Sequence, residues 1–398
     1  MSSLLAPDTA RPTPGLPEQR STRAAFFVAG FGTAAWAPLV PYAKSRLGVG
    51  EGTLGLLLLC LGAGSIATMP LAGALAARFG CRRVIWAASL VICIALPLLA
   101  TAGTVPLLSA ALLLFGAGVG TVDVVINIQA VIVERAAGRS MMSGFHGLFS
   151  VGGIAGAAGV SAALWAAGSP LLAALCVAGV IVAVLLVFGR SLLPYGSDRD
   201  GPAFALPRGA VLLIGGLCFI SFLAEGAMLD WSALILTALH GMDPVRAGLG
   251  YTVFSVAMTA GRLSGDRVVH ALGGRMVLAA GGSCAAGGVA LAVLAPAWPS
   301  ALAGFALVGL GASNIVPVLF SAVGRQHAMP ANLAVGAVTT LGYAGILAGP
   351  AGIGFAAHAA GLPTAFLGVA ALLLVVAACS GAVTRKDGQA ASRERVDN

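Results

Sequence analysis

The chain has 398 residues, 59% of them hydrophobic and 9% charged, where an ordinary soluble domain carries roughly 25% charged residues. So few charges cannot cover a water-facing surface, which excludes a soluble enzyme and makes this an integral membrane protein whose main surroundings are the lipid bilayer. The formal net charge of +8 points to no nucleic acid, because the basic residues stand singly or in small groups at the ends of apolar segments, a topology signal.

Met1 to Arg23 is polar and proline-rich, lacks the compact apolar core of a secretory signal, and reads as a disordered tail, 1–23. A helix needs about 20 apolar residues to cross hydrocarbon. In chain order such runs fall at 24–43, 53–76, 83–102, 105–132, 142–167 and 170–189, then at 210–237, 246–268, 275–295, 299–323, 331–358 and 363–383. They form two groups of six, 24–189 and 209–384, around a polar linker, 190–208, that holds Pro194, Gly196, Asp198, Asp200, Pro202 and Pro207. A second polar tail, 385–398, follows. The predicted fold class is an all-α membrane protein of twelve transmembrane helices in two six-helix bundles.

Orientation follows from Lys and Arg. If both termini are cytoplasmic, only Lys44, Arg46 and Arg246 of the 22 basic residues lie on outer loops, so both ends are expected inside. The two groups also look related. At an offset of 195, Trp36 falls on Trp231 and Gly55 on Gly250; at 193, Gly116 and Gly118 fall on Gly309 and Gly311; at 192, Gly153-Ile154 meets Gly345-Ile346. Two parallel halves around a central cavity suit alternating access. The seven cysteines fall in or beside apolar runs without CxxC spacing, so they read as small buried hydrophobes, and neither a metal, a cofactor nor a disulfide framework is expected.

Twelve spans in a 6+6 split, with these loop charges, resemble the major facilitator superfamily. The second-to-third loop, Gly73-Ala74-Leu75-Ala76-Ala77-Arg78-Phe79-Gly80-Cys81-Arg82-Arg83, is similar to that superfamily's signature, with Ala77 where Asp is usual. The loop taken as its symmetry mate, Gly261-Arg262-Leu263-Ser264-Gly265-Asp266-Arg267, keeps an acidic–basic pair, and Asp266 with Arg262 or Arg267 reads either as an inner latch or as an ordinary topogenic cluster. A finer resemblance, carried by Asp123 to Asn127, Glu134-Arg135, Gly144-Phe145-His146-Gly147 and Glu225 to Trp231, is to a bacterial inner-membrane branch distantly similar to sugar–proton symporters of the fucose permease type. The fifth span, Gly152-Gly153-Ile154-Ala155-Gly156, lacks the Gly-Pro signature of drug antiporters, and the basic residue those carry early in the fourth span is missing from Leu107 to Leu114. Both absences argue against drug efflux.

Ionisable side chains in hydrocarbon are costly and usually face a cavity or a partner. Asp123, Asn127 and Glu134 share one face of the fourth span, and His146 lies one turn into the fifth, at the depth of Asn127. Together they read as a polar site in which Asp123 carries a proton, or as a structural bond from His146 to Asp123. Glu225 falls near the middle of the seventh span and Asp230 in its outer half; the resemblance implies that this span lines the cavity, and Glu225 is the favoured coupling carboxylate. Trp36 and Trp231 are expected to stack on a flat ligand or to anchor at the interface. Asn314 and Tyr343 point polar groups from spans ten and eleven. The glycine-rich fifth and eleventh spans are expected to slide during rocking, with Gly153 and Gly349 as key positions.

No phosphate-binding loop GxxxxGK[ST], HExxH or GxSxG occurs, which excludes a pump driven by hydrolysis in this chain and leaves a membrane enzyme without its constellation. The predicted function is a monomeric secondary transporter in the cell's inner membrane that moves a small polar solute, sugar-like or another metabolite, in symport with a proton. The alternative is proton-coupled antiport that exports a metabolite or drug.

Overall fold

The structure, a computed structural model, describes residues 13–196, 206–243 and 246–384; the parts of the expected tails before 13 and after 384, and Asp198, Asp200 and Pro202 of the linker, lie outside them. It is built from helices α1 (Leu16–Ala34), α2 (Val40–Leu47), α3 (Glu51–Phe79), α4 (Cys81–Thr101), α5 (Val105–Ala137), α6 (Met142–Ala167), α7 (Pro170–Phe188), α8 (Ala210–Ala238), α9 (Leu249–Leu294), α10 (Trp298–Ala312), α11 (Ile315–Arg325), α12 (Ala331–Ala360), α13 (Leu362–Ala378) and α14 (Ser380–Thr384). α1 and α2 form the first span, broken where Pro38 enters a 3-10 turn, Ala37–Leu39. Residues 16–23, expected in the tail, are instead the first two turns of α1. The Glu18 carboxylate accepts from Gly15 N at 2.7 Å there, and the buried Thr22 hydroxyl accepts from Gln129 Nε2 at 2.9 Å.

Among the described residues, eleven helical segments are long and apolar enough to cross a membrane, and one of them counts twice. At 46 residues, α9 would be about 69 Å long at 1.5 Å per residue, roughly double the hydrocarbon thickness. Gly273 breaks it, with φ 76° and ψ 152°. Its counterpart is Gly80, φ 84° and ψ 153°, which separates α3 from α4 193 residues earlier. Both conformations are open to glycine and closed to side chains with a Cβ. The chain therefore crosses twelve times, and both ends of the described chain lie on one side, called here the termini side.

The repeat is visible in the packing. Gly152 and Gly156 of α6 sit against the Phe27 and Phe31 carbonyls of α1, where a Cβ would overlap them; Gly345 of α12 sits in the same way against the Phe219 carbonyl of α8. Gly116 on the Leu61 carbonyl is repeated by Gly309 on the Phe254 carbonyl. The glycines of these pairs are in register at 193, while the carbonyl partners Phe27 and Phe219 are offset by 192; on this glycine register Gly345 answers Gly152 and not Gly153. These close approaches join helices of the same half. A Cβ at Gly153, singled out in the sequence, would have its nearest neighbour, Ala34 Cβ, at 3.8 Å. In the same register the mate of the 73–83 loop is 266–276. Asp266 thus corresponds to Gly73, and the residue answering Ala77 is His270.

Lys44 and Arg46 lie in the last turn of α2, on the side opposite the termini. Arg46 donates through Nε to the Ala102 carbonyl at 2.8 Å and through Nη2 to the Leu99 carbonyl at 2.9 Å. It closes the C-terminal end of α4, where cations are favoured.

Candidate functional site

Where the halves meet, α6 of the first half lies against α9 of the second, and α3 against α12. In the middle of the first of these seams is Arg262, 6% exposed. Its Nη2 donates to both Glu225 oxygens on α8, at 3.1 and 3.2 Å, and its Nη1 donates to the Ser150 hydroxyl on α6 at 2.9 Å. Nε donates to the Ser313 carbonyl at 3.4 Å. That carbonyl is available for a reason readable in the chain: its helical donor would be the N–H of residue 317, which is Pro317 and has none. Proline thus opens the tenth span between α10 and α11, and the arginine takes the freed acceptor. Arg262 is therefore one turn deeper than a loop latch, and its anion is Glu225, not Asp266.

Beside this group, the buried His146 ring is flanked edge-on by Phe26 at 5.3 Å and by Phe320, from the other half, at 5.8 Å. Its Nε2 is buried without a hydrogen-bond partner among the described residues, so it makes no bond to Asp123. Asn127 turns back on its own helix, donating to the Asp123 carbonyl at 2.9 Å, and its Oδ1 has no partner among the described residues. The half-buried Asp123 side chain is an electrostatic neighbour of Tyr343 on α12, whose ring meets Phe222 edge-on at 6.4 Å. Asn314 donates to the Gly261 carbonyl at 3.1 Å and to the Ser313 hydroxyl at 2.9 Å, which holds the break in the tenth span against α9.

Other expected residues stand apart from this cluster. Asp230 is exposed. The indole N–H groups of Trp36, buried, and Trp231, half-buried against Gly354, have no partners among the described residues.

The termini-side end of the seam is closed by carboxylates on the start of α6. Asp266, from the second half, accepts from Gly144 N at 3.1 Å; Glu134, from the first, accepts from Met141 N and Met142 N at 2.8 Å each. Free N–H groups and the helix dipole favour negative charge there. The expected pairing of Asp266 with Arg262 or Arg267 is replaced by this cap, and Arg267 is exposed. At the start of α12, the Asn332 side chain donates to the Gly73 carbonyl at 3.4 Å. Arg78 lies over the Phe79 ring at 5.1 Å, and Arg82 donates to the Arg190 carbonyl at 3.1 Å.

Exposed Arg83 lines a mostly apolar cavity of about 440 Å³ among α3, α4 and α5, inside the first half and away from the polar cluster. Sequence reasoning missed three participants. Ser150 and Ser313 are small hydroxyl residues in apolar helices, with no local signal. Gln129, whose Nε2 reaches Thr22 and whose Oε1 accepts from Leu193 N at 3.1 Å, was legible as a buried amide one turn from residues already singled out.

Comparison with known proteins agrees with this architecture. The family model described as Major Facilitator Superfamily matches residues 24–327. An uncharacterized MFS-type transporter of Yersinia pestis is 57% identical over 94% of this chain and 97% of its own. Membrane protein MosC of Rhizobium meliloti is 34% identical over 89% of this chain and 87% of its own. Among solved structures, a variant of the E. coli fucose:proton symporter FucP superposes with a TM-score of 0.80 at 17% identity, covering 92% of this chain and 98% of that one. The proton:xylose symporter XylE gives 0.67 at 12% identity, covering 91% and 94%. These two likenesses establish the fold.

Proposed function

The chain belongs to the Major Facilitator Superfamily, and on that premise we propose that it is a proton-coupled permease that imports a small polar solute by alternating access between its two halves. In this role it is a monomer in the bacterial inner membrane with both termini in the cytoplasm. The observation that carries the proposal is the Glu225–Arg262–Ser150 chain, in which one buried ion pair of the second half also holds a hydroxyl of the first. A proton arriving on Glu225 forms an O–H bond and cancels the charge that fixes Arg262. The guanidinium then loosens its hold on Ser150, and the seam between α6 and α9 is released. Opening on the termini side follows once Asp266 leaves Gly144, and the proton and solute depart there. Asp123, facing Tyr343 across the seam, is a second proton acceptor in this scheme.

The likeness to fucose:proton and proton:xylose symporters supports symport over antiport. The test uses purified protein in proteoliposomes and a panel of labelled sugars, polyols and sugar acids. The wild type accumulates its solute under an inward proton gradient, whereas Glu225→Gln retains exchange of labelled for unlabelled solute but loses gradient-driven accumulation. Accumulation unaffected by Glu225→Gln would remove this carboxylate from the coupling.

A further inference from the structure

Resting on that reading, we propose that the solute carries a carboxylate or similar anionic group, received by Arg262 when Glu225 takes up a proton. Arg262 is 6% exposed, and among the described residues its only carboxylate partner is Glu225. Removing one partner of a buried pair leaves an uncompensated charge, which is strongly disfavoured. Protonating Glu225 alone does that to Arg262. A neutral sugar offers hydroxyls but no charge, so it leaves the imbalance in place. An anionic solute restores neutrality, and proton and solute then promote one another's binding.

The donors fit as well. A guanidinium has five N–H groups and grips carboxylates through two at once. Neutralising Glu225 frees Nη2, and Nη1 has one hydrogen beyond that given to Ser150.

The other carboxylate on α9 near the pair, Asp266, lies one turn along the helix and is taken up by the Gly144 N–H at 3.1 Å instead of pairing with Arg262. Cys218 lies on α8 itself and feels Glu225, and His146 on α6 feels Arg262. Tyr343 on α12 stands behind Phe222, with Asp123 as its own electrostatic neighbour. The helices α10, α13 and α14, also packed on α8, contain no ionisable side chain, and α11 has only Arg325 at its termini-side end. A monoanion moving with one proton makes the cycle electroneutral, whereas a neutral solute with one proton moves charge.

The decisive experiment works before the solute is identified. Glu225→Gln mimics the protonated state, and its melting temperature is measured in detergent with sodium acetate, sodium D-gluconate, D-glucose or sodium chloride at matched ionic strength. Acetate or gluconate is expected to raise it above the chloride and glucose values. Glu225→Gln/Arg262→Met should lose that response, and the wild type should show it at acid but not alkaline pH. The wild-type pH series stands by itself if the variant fails to fold. No carboxylate response in either protein, an equal response to glucose, or a response that survives loss of Arg262 overturns the proposal. Proteoliposomes that accumulate neutral sugars with a measurable inward current also overturn it while leaving proton coupling intact. Solute accumulation that ignores the proton gradient overturns the coupling itself.

Discussion

The Glu225–Arg262 pair yields a prediction that can be worked through in energy. The side chains are 8% exposed for Arg262 and 18% for Glu225, with 3.1 Å between Nη2 and Oε1. Breaking a buried pair by removing one partner costs about 3–5 kcal/mol. Because Glu225 keeps some exposure and Arg262 keeps Ser150 and Ser313, Glu225→Gln should fall near the lower end, about 3 kcal/mol. Arg262→Met also removes both serine contacts but leaves a carboxylate that can neutralise itself by protonation, so a loss of similar size is expected. The double variant has neither orphaned charge. It should be more stable than the sum of the single losses implies, by about 2 kcal/mol, within the range for residues sharing one network. Unfolding of the four proteins in one detergent, followed by thermal shift and checked by size-exclusion homogeneity, measures this. Additive losses would refute the reasoning, because they would mean that the two charges do not stabilise one another.

Further outcomes follow from neighbouring geometry. Gly152→Ala should destabilise by about 1–3 kcal/mol, since a Cβ there overlaps the Phe27 carbonyl and overpacking carries that cost, whereas Gly153→Ala, with its nearest contact at 3.8 Å, should stay within about 0.5 kcal/mol; equal melting temperatures would count against the described packing of α6. Asp266→Ala removes the cross-half cap on Gly144, worth about 0.5–2 kcal/mol for a helix N-terminus, and should raise thiol labelling of a cysteine placed at Ser321, on the termini side, in a cysteine-free background. Unchanged labelling would show that the cap does not hold the halves together. Asp123→Asn should abolish accumulation driven by a proton gradient while leaving the protein monodisperse, and unaltered accumulation would remove its role as a proton acceptor.

The spans were legible because hydrocarbon imposes a strong local rule. Runs 246–268 and 275–295 are separate in hydropathy even though the helix through them is interrupted at the single residue Gly273. The site was less legible, for a physical reason. Arg262 stands four residues before Asp266, and sequence proximity suggested one latch. In the fold each is held by something distant: Arg262 by Glu225 and by a carbonyl that Pro317 leaves free, Asp266 by the first turn of α6. Local pattern tells which residues are expensive to bury, but it does not tell which acceptor is vacant elsewhere.

The repeat narrows that gap. Once Gly80 and Gly273 fix the register at 193, Ser150 and Tyr343 become equivalent positions on α6 and α12. Each faces a charged group of the opposite half, Arg262 in one case and Asp123 in the other. Hydroxyls at matched positions meet unlike partners, a cation paired with Glu225 on one side and a carboxylate on the other. The duplication that built the scaffold is therefore symmetric in its backbone contacts and asymmetric in its charges. A transporter that binds proton and solute on different groups requires such an asymmetry, because two identical halves would offer two identical sites.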